Sequence, residues 1–172
     1  MNSMRRFHLR EITNNDHEWL VELHNDPLVL KNLTNPTPVS MQDHMNWWKT
    51  IDGKRQIRLI FCVDKKRVGI CKFYSIDRSN SNCVLGADIH KEHRGKGLAK
   101  PMWRLMMDYC YEELELSRIS LTTAEYNMIA RKVYLGLGFK EEGRMISALF
   151  RDEKWYDQIC MYHLKEWCKK NV

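Results

Sequence analysis

The 172-residue sequence has no long apolar run: none of its hydrophobic stretches approaches the roughly 20 residues that a membrane-spanning helix needs. Its first residues, MNSMRRFHLREIT, lack the apolar centre of a secretory signal peptide. Internal repeats, linkers and low-complexity segments are also absent. We therefore expect no membrane partner, and we predict a cytoplasmic protein whose residues 1–172 form a single domain around one core.

Metal-site spacings are missing too. No two cysteines have the C-x-x-C spacing of a zinc or redox motif, and the 7 histidines form no H-x-x-x-H or H-E-x-x-H group. No metal is therefore predicted. Because most of the cysteines lie in apolar runs, we expect them to be buried, reduced thiols. They stand at positions 62, 71, 83, 110, 160 and 168.

Acidic residues are fewer than basic ones, with 22 Asp and Glu against 28 Lys and Arg and a formal net charge of +6. A basic surface suits phosphate-bearing ligands, from nucleotides to nucleic acid, and argues mildly against a polycationic substrate. Ordinary solubility charge would give the same composition. The proportions of 44% hydrophobic and 29% charged residues are those of a globular domain.

Apolar periodicity predicts the element order strand, helices, three strands, helix, strand, helix, two strands. This order indicates a mixed α/β sheet with helices packed on its faces. A glycine inside the third apolar strand of the middle group, Gly86, suggests a bulge or a close backbone approach there. The predicted strands are 6–11, 56–63, 68–76, 83–89, 118–122, 139–150 and 154–164, and the predicted helices are 16–25, 41–51, 97–115 and 127–137.

The stretch HKEHRGKGLAK, residues 90–100, places two glycines among basic side chains at the head of a predicted helix. Consecutive N–H groups and the helix dipole make such a turn suitable for an anion. A P-loop is excluded because its spacing and its hydroxyl residue are missing. A dinucleotide fingerprint fails because Lys100 stands where the third glycine belongs.

Three blocks of sequence together resemble the GNAT family of N-acetyltransferases. The pattern R-x-x-G-x-A fills residues 94–99, and N-x-x-A-x-x-x-Y-x-x-x-G-F fills residues 127–139 without a gap. Residues 141–164 resemble the closing hairpin of the ribosomal-protein, spermidine and amino-sugar branch. The resemblance implies the GNAT fold, an α/β (α+β) structure. Its central sheet is mixed and mostly antiparallel, with about seven strands splayed in the middle and helices on both faces.

The resemblance implies acetyl-CoA as co-substrate, with its pyrophosphate held by the basic turn. It also places the thioester between the strands at 84–89 and 118–122, with Gly86 in the bulge that splays them. The backbone N–H near Ile89 would then bind the thioester oxygen. The implied cofactor-binding residues are Ile89, Arg94, Gly95, Lys96, Gly97, Leu98, Ala99 and Asn127.

Acetyl transfer requires the acceptor amine to lose a proton, because an alkylammonium has a pKa of about 10.4 and no lone pair. The departing thiolate must also receive a proton. The resemblance implies direct attack and makes Tyr134 the general acid. Glu125 is the predicted general base, with Asp88 or a water chain as alternatives. A catalytically inactive CoA-binding module is the alternative outside enzymes.

The acceptor side is predicted from the first helices. The positions of His44, Trp47 and Trp48 resemble those in bacterial acetyltransferases acting on nucleotide-linked amino sugars. We therefore expect a small-molecule amine as partner, with a nucleotide-linked amino sugar as the main hypothesis. A polyamine and a protein N-terminal amine are the alternatives. No nucleic-acid partner is expected, and a homodimer is left open.

Overall fold

The computed structural model describes residues 5–166, which form one seven-stranded sheet in the order β1-β2-β3-β4-β5-β7-β6. Neighbouring strands are antiparallel except β4 and β5, which run parallel. The predicted mixed, mostly antiparallel sheet is thereby confirmed. The strands are β1 (Phe7–Glu11), β2 (Ile57–Val63), β3 (Lys66–Asp77), β4 (Asn82–Ile89), β5 (Arg118–Ala124), β6 (Lys140–Arg151) and β7 (Lys154–Leu164).

Residues 5–166 contain five α-helices, and local capping explains where three of them begin. Asp26 accepts from the first N–H groups of α2, Ser40 and Asp43 form a capping box before α3, and Asn127 caps α5. The helix predicted to reach residue 115 ends at 108 and continues as one π-turn. The helices are α1 (His17–His24), α2 (Pro27–Asn32), α3 (Met41–Trp48), α4 (Ala99–Asp108) and α5 (Met128–Leu135).

The sheet divides the apolar interior into two clusters rather than the single core expected. On one face α4 packs Met102 and Met106 against Phe61, Phe73 and other strand residues. On the other face the side chains of α1 and α2 cover alternate residues of β2 and β3. This second cluster consists of Trp19, Leu20, Leu23, Val29, Ile60, Cys62 and Ile70. Because successive strand residues face opposite ways, the same strands serve both clusters. Within residues 5–166 no helix has the length and apolar character needed to cross a bilayer.

Strands β4 and β5 separate soon after they meet. Their parallel ladder contains only the pairs between Asn82–Val84 and Arg118–Ser120. Beyond these residues β4 remains paired with β3, and β5 with β7. The splay implied by the resemblance is therefore present, and it opens a gap in the middle of the sheet.

The predicted bulge at Gly86 is wrong. Pairing between β3 and β4 runs without a register shift over Val84–Ile89, and the irregularity lies in β3 between Tyr74 and Asp77. A Cβ at Gly86 would approach Cε2 of Tyr74 at 3.3 Å. The glycine therefore makes room for an aromatic ring of the neighbouring strand, rather than for the close backbone approach that was the other expectation.

The cysteines in the described part of the chain are free thiols. Four of them are buried, Cys160 is half-buried, and Cys168 lies outside the described residues. Burial raises the pKa of the Cys71 thiol, so that it stays protonated. Among residues 5–166 no three metal-ligating side chains cluster.

Asp16 joins the start of α1 to the first strand. Its carboxylate accepts from Arg10 at 2.7 and 2.8 Å and from the N–H of Thr13 at 2.9 Å, although the residue is only 2% exposed. The hydrogen bonds from Arg10 hold the pKa of this carboxyl well below its usual range. Because α1 contributes Trp19, Leu20 and Leu23 to the second apolar cluster, this contact holds the cluster against the sheet.

Replacement Asp16→Asn should lower the free energy of unfolding by about 2 kcal/mol at neutral pH, because it leaves Arg10 without its bidentate partner. Since the folded-state pKa is depressed, this stability is present above the unfolded pKa of about 3.9 and is lost as pH falls further. Denaturant unfolding at pH 7 and at pH 3 measures the difference. The exposed pair Lys31–Asp152 provides the control, and Asp152→Asn should leave the unfolding midpoint unchanged. Equal midpoints for wild type and Asp16→Asn would contradict this role.

Candidate active site

A cleft of about 840 Å³ occupies the gap between β4 and β5. Residues 84–89 of β4 form one side, and the starts of α4 and α5 form another. α2 and the loop after it also line the cleft. The tip of the β6–β7 hairpin holds that loop, since Arg151 contacts the carbonyl oxygens of Lys31, Leu33 and Thr34. The cleft is therefore bounded by elements that are distant in sequence.

The main chain of Ile89 points into this cleft. His90 donates its N–H to the carbonyl of Val68 at 2.9 Å, which makes Ile89 and Gly69 a non-hydrogen-bonded pair. The N–H and C=O of Ile89 consequently face away from β3, towards the side that β5 has left. Its carbonyl accepts from Nε of Arg94 at 2.9 Å, while its N–H faces the gap.

The basic turn has the backbone conformation that anion binding needs. Gly95 and Gly97 have φ angles of +72° and +73°, which glycine adopts without the strain of a side chain. A Cβ on either glycine would meet nothing within 4 Å, so the outer side of the turn is open. Within the described residues, the N–H groups of residues 95–98 donate to no protein acceptor. An open turn with free amides at the head of α4 fits a diphosphate.

The predicted residues of this turn divide into exposed and anchoring ones. Gly95, Lys96 and Gly97 are exposed at the mouth, whereas the side chain of Leu98 is buried in the first apolar cluster. Ala99 lines the cleft. Leu98 therefore fixes the turn to the core and offers only its main chain to a ligand.

Arg94 braces the turn. Besides the bond to Ile89, its Nη2 lies 2.9 Å from a carboxylate oxygen of Asp26, the residue that caps α2. The guanidinium thus connects β4, the basic turn and α2. Arg94, predicted to bind the cofactor, lines the cleft, and its side chain contacts Ile89 and Asp26 of the protein.

Tyr134 and Asn127 both line the cleft from α5. The ring of Tyr134 packs edge-on against Trp103, with 4.7 Å between centroids, and also contacts Phe139. Burial, together with the nearby charge of Asp88, raises the pKa of the Tyr134 hydroxyl, so it keeps its proton at neutral pH. Asn127 Oδ1 accepts from the N–H of Ala130 at 3.3 Å and is engaged as a helix cap.

Glu125, the predicted base, does not line the cleft. Its Oε1 accepts from the N–H of Asp157 at 2.9 Å, and its Oε2 from Arg144 at 3.2 Å. These contacts join β5 to the β6–β7 hairpin. The rival carboxylate, Asp88, does line the cleft, so the geometry favours it over Glu125 as the base.

A second, smaller cavity of about 330 Å³ adjoins the cleft on the side of α1 and α3. The predicted acceptor residues His44 and Trp47 line it. Trp48 instead packs against His17, with 5.3 Å between ring centroids, and is not among the lining residues. Burial, reinforced by the neighbouring histidines, lowers the pKa of His44 and keeps its ring neutral at pH 7.

Charged residues on β2, β3 and β4 form the floor of this cavity, and the sequence analysis missed most of them. Arg58, Lys72 and Asp88 lie on one face of the sheet, beside Tyr74. The sequence contained a signal for them, because Arg58 and Lys72 are charged residues inside apolar strands. Since side chains alternate between the two faces of a strand, Arg58 lies on the same face as Ile60, and Lys72 on the same face as Ile70. Buried charges of this kind indicate a functional face.

The two cavities meet where Lys72, Tyr74 and Asp88 line both of them. Lys72 and Asp88 form a direct ion pair with little exposure. Burial opposes a charge on Lys72, but Asp88 and Tyr74 outweigh that effect and raise the pKa of Lys72. Lys72 therefore stays protonated, and Asp88 is the carboxylate at the junction.

Comparison with known proteins agrees with this geometry. Residues 6–140 match the family described as acetyltransferase (GNAT) domain. The putative ribosomal N-acetyltransferase YdaF of Bacillus subtilis is 32% identical over 123 residues, which cover 71% of this chain and 67% of that protein. The L-amino acid N-acetyltransferase AaaT of Escherichia coli is 29% identical over 161 residues, which cover 91% of this chain and 97% of AaaT.

The crystal structure of spermidine N-acetyltransferase from Vibrio cholerae, in complex with CoA and spermine, superposes with a TM-score of 0.87. The two sequences are 25% identical, and the match covers 92% of this chain and 95% of the other. With the family match over most of the described residues, and with a cleft that fits acetyl-CoA, the chain belongs to the GNAT family and is an acetyl-CoA-dependent N-acetyltransferase.

Proposed function

We propose that this enzyme moves the acetyl group of acetyl-CoA to the primary amine of a small molecule held in the 330 Å³ cavity. The observation that carries the proposal is the junction at which Asp88 and Lys72 line both cavities. An amine in the smaller cavity would meet a thioester in the larger one at that point. The alternative of an inactive CoA-binding module has no support, because the chain matches the acetyltransferase (GNAT) domain family and its relatives are named as N-acetyltransferases.

Acetyl-CoA supplies an activated acyl group, and the residues around it supply placement and protons. The nitrogen of the amine forms a bond to the carbonyl carbon while the carbon–sulfur bond breaks. The N–H of Ile89 donates to the carbonyl oxygen as negative charge develops on it. Tyr134 gives its proton to the departing sulfur, and Asp88, directly or through water, takes the proton that the amine releases.

The size of the acceptor is suggested by the cavity. A volume of about 330 Å³ lies at the small end of ligand pockets and suits a compact amine better than a nucleotide-linked sugar. Spermidine and L-amino acids are the small amines named for relatives of this chain. The polyamine alternative therefore has more support than the nucleotide-linked amino sugar, and a homodimer stays a prediction.

Replacement Gly97→Ala should weaken acetyl-CoA binding about tenfold, because a left-handed alanine costs about 1–2 kcal/mol and the turn would relax away from its anion-binding form. Calorimetric titration with acetyl-CoA measures the change. Gly53→Ala is the matched control, since Gly53 has a φ of +67° and equally open surroundings on a distant turn. Unchanged affinity in Gly97→Ala, or equal losses in both variants, would refute the placement of the diphosphate.

Replacement Tyr134→Phe should lower kcat about 100-fold and change the KM for acetyl-CoA by less than about threefold, since only the proton is removed. Thiol release under saturating acceptor gives both constants. Because the pKa of Tyr134 is raised above its ordinary value of 10.0, wild-type kcat should show no decline on the alkaline side below that pH. A phenylalanine variant with wild-type kcat would remove the acid role.

The two carboxylates proposed as bases can be separated directly. Asp88→Asn should lower kcat/KM for the amine about 100-fold, because the group that accepts the proton of the amine at the junction is lost. Glu125→Gln should stay within about threefold of wild type, because the amide keeps an acceptor for the N–H of Asp157. Thermal unfolding of both variants checks that they fold. The opposite ranking would assign the base to Glu125.

A further inference from the structure

Among the described residues, Arg58 is a buried cation without an acidic partner. The residue is 4% exposed, and no carboxylate in residues 5–166 lies within ion-pair distance of its guanidinium. Nη1 donates to the carbonyl oxygens of Ile57 and Phe73, both at 2.9 Å, and Nη2 donates to Oε1 of Gln56 at 3.1 Å. Nε has no hydrogen-bond partner in the part of the chain that the structure describes. Arginine keeps its charge even where burial lowers its pKa, so the cavity floor carries an unmatched positive charge.

Two aromatic rings hold this guanidinium in place. Its central carbon lies 4.1 Å from the ring centroid of Tyr74 and 5.5 Å from that of Trp47. Such contacts partly offset the loss of hydration and restrict the plane of the guanidinium. Trp47 is 39% exposed at the cavity wall, so the restraint comes from the binding site itself. A planar cation fixed beside a cavity is preorganised for a planar anion.

Lys72 is paired with Asp88. The other carboxylate of the cavity, Asp43, is exposed, accepts from the N–H and the hydroxyl of Ser40 at the start of α3, and forms no ion pair with Arg58 within residues 5–166. A polyamine in this cavity would bring a second ammonium towards Arg58, and like charges brought together without solvent repel. An acceptor with a negative group would instead provide the partner that Arg58 lacks.

The register of the sheet sets the distance between the positions at which the amine and the negative group of such an acceptor would bind. Arg58 on β2 pairs with Lys72 on β3, and Lys72 pairs with Gly86 on β4. A row of paired residues on three neighbouring strands therefore runs from Arg58 to the cleft. At about 4.8 Å per strand, the main chain of Arg58 lies about 10 Å from that of β4. The amine would lie at Asp88 and the anion towards β2.

We propose that the acceptor of this enzyme is an amino carboxylate whose carboxylate binds Arg58 while its amine lies at Asp88. A carboxylate is favoured over a phosphate because it is planar and because one unmatched cation balances one negative charge. The small cavity agrees with this choice. The inference rests on the proposed function, since it names the substrate class of the same site.

Matched pairs of acceptors test the proposal in the wild-type enzyme. Glycine, β-alanine, γ-aminobutyrate, ε-aminocaproate and L-phenylalanine are each compared with the amine that lacks the carboxylate, and spermidine is added. We expect kcat/KM for at least one acid to exceed that of its amine about 30-fold, with an optimum at one chain length. Spermidine or the plain amines acetylated as well as the acids would overturn the proposal and leave the acetyltransferase function intact. Acetylation of none of the small amines would count against the proposed function itself.

Variants at Arg58 give the second readout. Arg58→Met should raise KM for the preferred acid about 30-fold while its amine counterpart changes less than about threefold, and Arg58→Lys should restore part of the preference. Arg78→Met is the control, since this exposed arginine lies on the turn between β3 and β4. Equal effects of Arg58→Met on acid and amine would refute carboxylate recognition.

Inhibition of the wild-type enzyme keeps the test independent of how the variants fold. Caproate contains the carboxylate without an amine, whereas caproamide has the same shape without the charge. Caproate should compete with the acceptor amine at concentrations about tenfold lower than caproamide does. Equal inhibition by the two compounds would contradict a carboxylate site at Arg58.

Discussion

The separation of β4 from β5 after three residue pairs is the constraint on which the rest of the site depends. A closed parallel ladder would use the main-chain groups of Leu85, Ala87 and Ile89, the alternate residues that face away from β3. Because β4 stays paired with β3 as far as Ile89, the strand is held in place while the N–H of Ile89 faces the gap. Gly69 allows this tight pairing, since a Cβ there would meet the carbonyl oxygen of Asp88 at 2.5 Å. The sheet thus supplies a preorganised donor without a dedicated side chain.

Polar and apolar functions share one face of the sheet. Ile60 and Ile70 hold α1 and α2, whereas Arg58, Lys72 and Asp88, at alternate positions on neighbouring strands, form the cavity floor. Burying charges opposes folding, and the pair of Lys72 with Asp88 meets only part of that cost. Arg58 has no carboxylate partner among the described residues, and its burial therefore lowers the stability of the fold. Binding sites commonly retain such destabilising residues because function needs them. Anchors such as Asp16, with its bidentate arginine, hold the helices that cover the site.

Most elements could be predicted from local patterns, whereas the errors arose where hydrogen bonding or packing against another element decided the structure. Capping residues and period-2 alternation located the strands and the starts of α3 and α5, because these signals act within a few residues. α4 ends early, since a π-turn changes hydrogen bonding without changing the apolar pattern. Gly86 accommodates the ring of Tyr74 from the adjacent strand, a cause that its own strand does not reveal. Trp48 and Trp47 look equivalent in sequence, but helix rotation turns only Trp47 into the cavity.

The sequence by itself determined the family, the order of the elements, the turn at 94–99 and the candidate acid Tyr134, because each is written in contiguous residues with a fixed spacing. Only the tertiary structure decided what these parts do together. It placed Glu125 in contacts between strands, directed Arg94 to Asp26, and brought Asp88 to the junction of two cavities. It also assembled Arg58, Lys72 and Asp88 from three strands. The physical reason is that strand register and helix packing, rather than sequence spacing, decide which side chains share a cavity.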